Sequence, residues 1–375
     1  VNYCENYAGF GSVVFGDLHT PTATTDYGHT GVVPGSTYYY RVSAMDALGN
    51  ESELSAQVSA YVPFDSATGK IPDTGQTTSY TNTFGEDADY SINPQSYTKL
   101  DANGNALPDS AATWAMVRDN VTGLIWENKT DDGGIHDKDN TYTWQGAQDI
   151  FIAQLNAQNF GGHNDWRLPT VKELSFIADQ GRYNPSINTG FFSNSMSSYN
   201  WSSTTCAFYP DYAWLVGSGR GDVGYDHKSR SYSNGYYYCA RAVRGGTLSI
   251  ETFVDNANGT ISDTTTGLMW QKGETGAMTW EQALAYCENL QLAGYNDWRL
   301  PNRNELQSIV DYARYNPAID QTMFPGATSS YYWSSTTCAW NQGHAWGVYF
   351  FSGYGYVDFD DKSGSHYVRA VRAGQ

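Results

Sequence analysis

Hydrophobic and polar positions along this chain change their period from segment to segment. Between Thr37 and Val62 they alternate: Tyr38, Tyr40, Val42 and Ala44 fall opposite Tyr39, Arg41 and Ser43, the two-residue period of a strand. The turn-rich stretch DALGNES follows, then a second alternating run, and together they predict a hairpin. Residues 63–83 (PFDSATGKIPDTGQTTSYTNT) show no period and have the Pro, Gly, Ser and Thr content of a linker. Helical spacing is clear in TWEQALAYCENL, where Trp280, Ala283, Leu284 and Cys287 share a face. Thr279 stands at the N-cap of that helix and Gln282 three residues on, the spacing of a capping box. Two further helix starts are predicted at Thr170 and Asn302, each followed three residues later by Glu173 or Glu305. Pro169 and Pro301 exclude helix immediately before these caps, and YNP at 183–185 and 315–317 ends each helix. YNWSSTTCA, YAWLVGSG, HAWGVYFFSG and VRAVRAG read as strands.

The same pattern is written twice. NDWRLPTVKEL (164–174) returns as NDWRLPNRNEL (296–306), and Trp201, Cys206 and Trp214 return as Trp333, Cys338 and Trp346, always 132 residues later. Positions 164–214 and 296–346 share 28 identities in 51, without insertion, which marks a duplication. TGLIW ending at Trp126 recurs as TGLMW ending at Trp270, and RAVR at 241–244 recurs at 369–372. A unit running from roughly 117 to 245 and again from 253 to 373 is the size of a domain, too long for a solenoid repeat. The expected boundaries are therefore 1–62, an all-β segment; 63–83, a linker; 84–247, the first repeat with an extended lead-in; and 248–375, the second. Each repeat is expected to be α+β, with two helices on a small antiparallel sheet.

Composition narrows the partners. With 21 basic and 39 acidic residues the formal charge is −18, which disfavours nucleic acid, anionic lipid and heparin-type polyanions. No run of apolar residues is long enough to span a membrane. Abundant Tyr, Thr, Ser, Asn and Gly with little Lys resembles secreted bacterial surface proteins. The opening VNYCENYAGF reads as the middle of a domain, so upstream sequence is expected.

Each repeat holds two of the five cysteines, one at a shared position. In an oxidising compartment the natural pairing is Cys206–Cys239 and Cys287–Cys338, with Cys4 left over; buried free thiols are the alternative.

The residues common to both copies favour structure over catalysis. No histidine is shared, nothing has the spacing of a zinc site, and the hydroxyls of WSSTTC lack a common base. Asp165, Trp166 and Arg167, with Asp297, Trp298 and Arg299, are read as an ion pair or backbone brace around a core tryptophan. Glu173 and Glu305 are accounted for by capping. DANGN (101–105) and DNANG (255–259) have the look of calcium loops, yet neither has the glutamate an EF-hand needs at its twelfth position, and tight Asn/Asp turns explain them without metal. No cofactor is expected, with calcium the one alternative.

In this order, G-L-[IM]-W, T-W-x-x-A, N-D-W-R-L-P-x-x-x-E-L, W-S-S-T-T and V-R-x-V-R resemble the domain at the C-terminus of the Legionella collagen-like adhesin. The resemblance implies two tandem C-type-lectin-like domains used at a bacterial surface. The adhesin's binding of glycosaminoglycans through a basic face is not expected here, at −18. The calcium–sugar motifs of animal C-type lectins are absent. Y-x-Y-x-V-x-A-x-D-x-x-G-N-x-S in the N-terminal segment resembles the last hairpin of a fibronectin type III module, which implies a partial sandwich with open edges. The functional expectation is a non-enzymatic, extracellular or cell-surface protein that binds a glycan or protein partner. The alternative is a subunit of an extracellular filament, self-assembled by strand complementation of the N-terminal half-module.

Overall fold

The computed structural model describes residues 37–41, 43, 48, 50, 52–61, 68–233, 235–248, 252–351 and 356–373. They fall into two compact units that divide after Ser66. In the first, β1 (Thr37–Tyr40) pairs antiparallel with β2 (Val58–Tyr61), Thr37 opposite Tyr61. The remainder of the fibronectin-like reading lies outside the described residues, as does Cys4.

The second unit is predominantly β. The first repeat contributes β3 (Tyr97–Leu100), β4 (Met116–Asp119) and β5 (Ile125–Glu127). After them comes a helical stretch made of α1 (Trp144–Gly146), a π-turn segment (Ala147–Ile152) and α2 (Ala153–Ala157), then α3 (Val171–Phe176). It continues with β6 (Tyr199–Thr205), β7 (Tyr212–Gly217), β8 (Val223–His227), β9 (Tyr232–Ser233), β10 (Tyr236–Cys239) and β11 (Val243–Arg244). The second repeat adds β12 (Phe253–Asp255), β13 (Thr260–Asp263), β14 (Leu268–Gln271), β15 (Thr275–Met278), α4 (Trp280–Glu288) and α5 (Arg303–Ser308). It ends with β16 (Tyr331–Thr337), β17 (His344–Tyr349), β18 (Val357–Asp361), β19 (His366–Val368) and β20 (Val371–Ala373).

These strands overturn the expected pair of α+β, C-type-lectin-like domains. Among the described residues the α-helices are short, α4 at nine residues being the longest unbroken one and the stretch from Trp144 to Ala157 being interrupted by its π segment, and they do not form a two-helix layer on each small sheet. The larger sheet has ten strands in the order β15-β19-β16-β17-β18-β8-β7-β6-β10-β9, and it runs through both repeats. The join is antiparallel, with Val357 opposite Val223. Both valines are buried, and an unpaired strand edge next to them would leave backbone N–H and C=O groups dry, so the edge that each repeat brings to the join is completed by the other's. Two four-stranded sheets, β11-β5-β4-β3 and β12-β13-β14-β20, stand one in each repeat.

The join has the geometry of a two-fold. Val223 and Val357 follow equivalent partners, Val216 on β7 and Val348 on β17, so they occupy one position of the repeat. A single apolar cluster holds Trp126 and Trp214 from the first repeat together with Trp270 and Trp346 from the second. Capping boxes start α3 and α5 as their sequences require: Thr170 accepts from the Glu173 N–H, and Asn302 from the Glu305 N–H. These two helices meet across the join. Lys172 Nζ donates to the Ser308 carbonyl at 2.8 Å, and Arg303 Nη2 to Ser175 Oγ at 2.8 Å.

The stretch read as a linker is, from Thr68 onward, part of the packed body. Ile71, Thr74 and Gln76 are buried. Gln76 pairs with the Thr337 backbone through both ends of its amide, at 2.7 and 3.1 Å. Asn304 donates to the Pro72 carbonyl at 3.0 Å, while Gln95 donates to the Ala178 carbonyl at 2.9 Å. The lead-in is thus a strap over both repeats. Its short side chains and Pro–Gly spacing fit a groove of backbone hydrogen-bonding groups, which composition alone does not separate from a free linker.

Candidate functional site

The repeated motif is placed as internal bracing. Asp165 and Arg167 do not pair with each other. Arg167 forks onto Glu173 with two bonds of 2.8 Å, and Asp165 receives the Arg244 guanidinium at 2.9 and 3.1 Å. The second copy repeats the plan: Arg299 binds Glu305 at 2.6 and 2.5 Å, and Arg372 binds Asp297 at 2.7 and 2.9 Å. Each glutamate therefore caps a helix and neutralises an arginine, a second role that the capping spacing does not reveal. Trp166 and Trp298 are buried and donate their indole N–H to the carbonyls of Phe160 and Leu292.

The strap adds charge to the second copy alone. Asn302 donates to Asp73 at 3.3 Å, and Thr74 and Thr336 both donate to Asp87, at 2.6 and 2.5 Å. Burial pushes Asp73 up to about 6 and Asp87 up to about 7, and the nearby Glu305 reinforces both shifts.

The expected disulfides are not formed. Cys206, Cys239, Cys287 and Cys338 are buried thiols. Parallel pairing explains the first pair: Cys239 on β10 stands opposite Asn200 on β6, six residues before Cys206, or about 20 Å of strand. A disulfide spans far less. In the second repeat Cys287 packs with Trp280 and Trp298, whereas Cys338 belongs to the cluster around Trp346. Burial raises the Cys239 thiol, the reverse of what an activated nucleophile needs.

The two suspected calcium loops are closed on themselves. Asp101 accepts from the N–H groups of Asn103 and Asn105 at 2.8 and 2.9 Å. Asp255 is held by Lys272 at 2.6 Å and by the Ala257 N–H at 3.0 Å. Asp131, Asp137 and Asp139, which no sequence motif marks, bring one oxygen each within 4.8 Å of one another. Lys138 bridges two of them at 2.9 and 2.8 Å, and Asp137 accepts three backbone N–H groups.

A cleft of about 570 Å³ opens where the two repeats face each other, a volume ordinary for a ligand pocket. From the first repeat come Tyr183 and Asn184 in the turn after α3, and Arg220 and Asp222 between β7 and β8. The second supplies Trp340 from the loop after β16, and Asp358 and Phe359 on β18. Trp340 packs edge-on against Phe359 at 5.2 Å and is tilted 59° to Tyr183 at 6.4 Å, so aromatic faces come from both repeats. The Arg220 guanidinium lies 5.5 Å from the Trp340 ring. Asp222 accepts from the Tyr199 hydroxyl at 2.5 Å. That pair needs glycine at 217, where a Cβ would stand 2.6 Å from the Asp222 carboxylate and 3.1 Å from the Tyr199 ring. The side chains of Asn184 and Arg220 have no hydrogen-bond partner among the described residues, and Tyr183 is 57% exposed.

Two equivalent positions across the join are filled by bulkier residues: Tyr349 stands where the cleft has Gly217, and Tyr356 where it has Asp222, while the smaller Phe208 stands where it has Trp340. Tyr356 stacks on Tyr225 at 5.3 Å and meets Trp214 edge-on at 5.9 Å. Tyr183 and Asn184 are shared with the other copy as Tyr315 and Asn316, so what opens the cleft on one side is the set of positions in which the copies differ, Gly217, Asp222 and Trp340.

Two segments of the chain, residues 115–244 and 259–372, match one protein family, described as the Lcl C-terminal domain. No curated protein matches the chain.

Proposed function

The chain belongs to the Lcl C-terminal domain family through both of its repeats, and from that premise we propose that it is a non-enzymatic binding protein of the bacterial exterior or cell surface, with the cleft between the repeats as its ligand site. The observation that carries this reading is the cleft itself: aromatic faces from both repeats beside the side chains of Asn184 and Arg220, which make no hydrogen bond among the described residues. A pocket of apolar walls with a few convergent polar groups is the ordinary form of a small-ligand site. Among the described residues no helix is long and apolar enough to cross a membrane. The raised thiol of Cys239 argues against a thiolate nucleophile at that position, and the proposal invokes no cofactor.

The test is adsorption of the purified full chain to intact bacterial and animal cells. Trp340→Ala should reduce retention at a temperature where circular dichroism shows the variant folded, because Trp340 also packs on Trp346 and its loss lowers the melting temperature as well. Unchanged adsorption would remove the cleft from the function. Filament assembly through the N-terminal half-module concerns segments outside the described residues, and no observation here favours it.

A further inference from the structure

We infer that the cleft takes an uncharged saccharide, a neutral sugar unit within a larger glycan. The inference rests on the reading of the cleft as the ligand site. It follows from which chemistries the walls accept and which they reject.

Trp340, Phe359 and Tyr183 offer ring faces and edges. Such surfaces suit the aliphatic C–H face of a pyranose, which is apolar in the plane of the ring and polar around its rim. Around them stand groups of both hydrogen-bonding senses. Arg220 can only donate, Asp358 can only accept when ionised, and Asn184 does both. Asp358 Oδ1 accepts from the Phe359 N–H at 2.9 Å. Hydroxyls, which donate and accept at once, satisfy such a mixed rim.

Other ligand classes fit less well. A purely apolar molecule would dry Arg220, Asp222 and Asp358 without returning hydrogen bonds, which is costly. A sulfated or uronic sugar would face two carboxylates and one guanidinium, a formal −1, inside a chain of −18. A cationic peptide would meet Arg220 where it covers the Trp340 ring. A neutral sugar avoids all three conflicts.

The experiment uses the full chain and two soluble panels at physiological ionic strength. One panel is neutral oligosaccharides of glucose, mannose, galactose and N-acetylglucosamine; the other is heparin and chondroitin sulfate. Calorimetry is read beside intrinsic tryptophan fluorescence. At least one neutral oligosaccharide should bind and perturb the fluorescence. Trp340→Ala should weaken that binding about tenfold, the loss of one stacking ring. Trp340→Phe should retain a stacking face and most of the affinity, but lose the fluorescence change, because Trp340 is the tryptophan in the cleft wall.

Binding of heparin and of no neutral sugar, abolished by Trp340→Ala, overturns the neutral-sugar assignment and leaves the cleft as the site. Binding by neither panel, with cell adsorption still lost in Trp340→Ala, also overturns the sugar class alone. Neutral-sugar binding that Trp340→Ala leaves untouched overturns both.

Discussion

Ser175 Oγ donates to Gln307 Oε1 at 2.7 Å, and these two residues hold the same position in the two copies of the repeat. A contact between equivalent residues marks a two-fold axis, and Val223 opposite Val357 marks it again in the sheet. The chain is in this respect a dimer interface written into one polypeptide.

Unfolding should reflect that interface. Calorimetry of the full chain should show the two repeats melting in one transition, because one core and one sheet run through both. Arg303→Ala removes the guanidinium that binds Ser175 and the Gly221 carbonyl, and should destabilise that single transition by about 2–4 kcal/mol. Two separate transitions, only one of them moved, would contradict the shared core.

The two copies of the arginine fork should differ in weight. Arg299 and Glu305 are both nearly dry, at 4% and 3% side-chain exposure, whereas Arg167 retains 26%. Arg299→Ala leaves Glu305 buried beside Asp73 and Asp87, and should cost about 3–5 kcal/mol. Arg167→Ala should cost less: Glu173 is buried too, but the partly exposed Arg167 guanidinium leaves a gap that water can enter, and among the described residues no second buried carboxylate is placed beside it. Urea denaturation midpoints decide the order.

Stability should rise on mild acidification. Asp73 and Asp87 have folded pKa values of about 6 and 7, above the unfolded value near 3.9, so the folded state binds their protons more tightly. Their contribution is complete below the unfolded value and is lost as pH rises through 6 and 7. Asp119, raised to about 6 by burial, acts in the same direction. Glu305 and Arg299 face the Asp73–Asp87 pair; Glu305 disfavours its charged form, while Arg299 and the hydrogen bonds from Thr74, Ile92 and Thr336 favour it without offsetting burial. The melting temperature should therefore climb between pH 8 and pH 5 by the equivalent of roughly 1–4 kcal/mol. Asp87→Asn should flatten the upper part of that climb. Below about pH 4 the trend should reverse. There carboxylates such as Asp297, held low by Arg372, lose their charge.

Thiol chemistry separates the structure from the disulfide expectation. Alkylation after denaturation without reductant should label Cys239, Cys287 and Cys338, and the native protein should resist labelling at these buried sites. A Cys287–Cys338 peptide under non-reducing conditions would refute the placement of those two side chains in separate clusters.

The sequence carried the local grammar well. The duplication, the caps at Thr170 and Asn302 and the buried tryptophans are each set by a few neighbouring residues, and each is where the pattern puts it; the helix ends are not, since α3 stops at Phe176 and α5 at Ser308, well before the YNP stretches expected to end them. What it could not convey was which edges meet. The ten-stranded sheet depends on β8 finding β18, and a strand pattern carries no address for its partner. The strap looked like a linker because its groups are satisfied by backbone and side-chain partners more than 200 residues away, as with Asn304 and Pro72. The cleft was hidden for a third reason: Tyr183 and Trp340 come from different copies, and Gly217, Asp222 and Trp340 are positions where the copies disagree.

That disagreement has a cost-free origin in the fusion. A homodimer of a single repeat must carry every substitution on both sides of its axis, so a residue that opens one cleft opens two, and a residue that plugs one plugs both. With the halves encoded separately, Asp222 and Gly217 can hollow one side while Tyr356 and Tyr349 brace the other. Covalent duplication therefore lets the two flanks of one interface diverge: one is hollowed into a cleft, and its twin is filled by packed tyrosines.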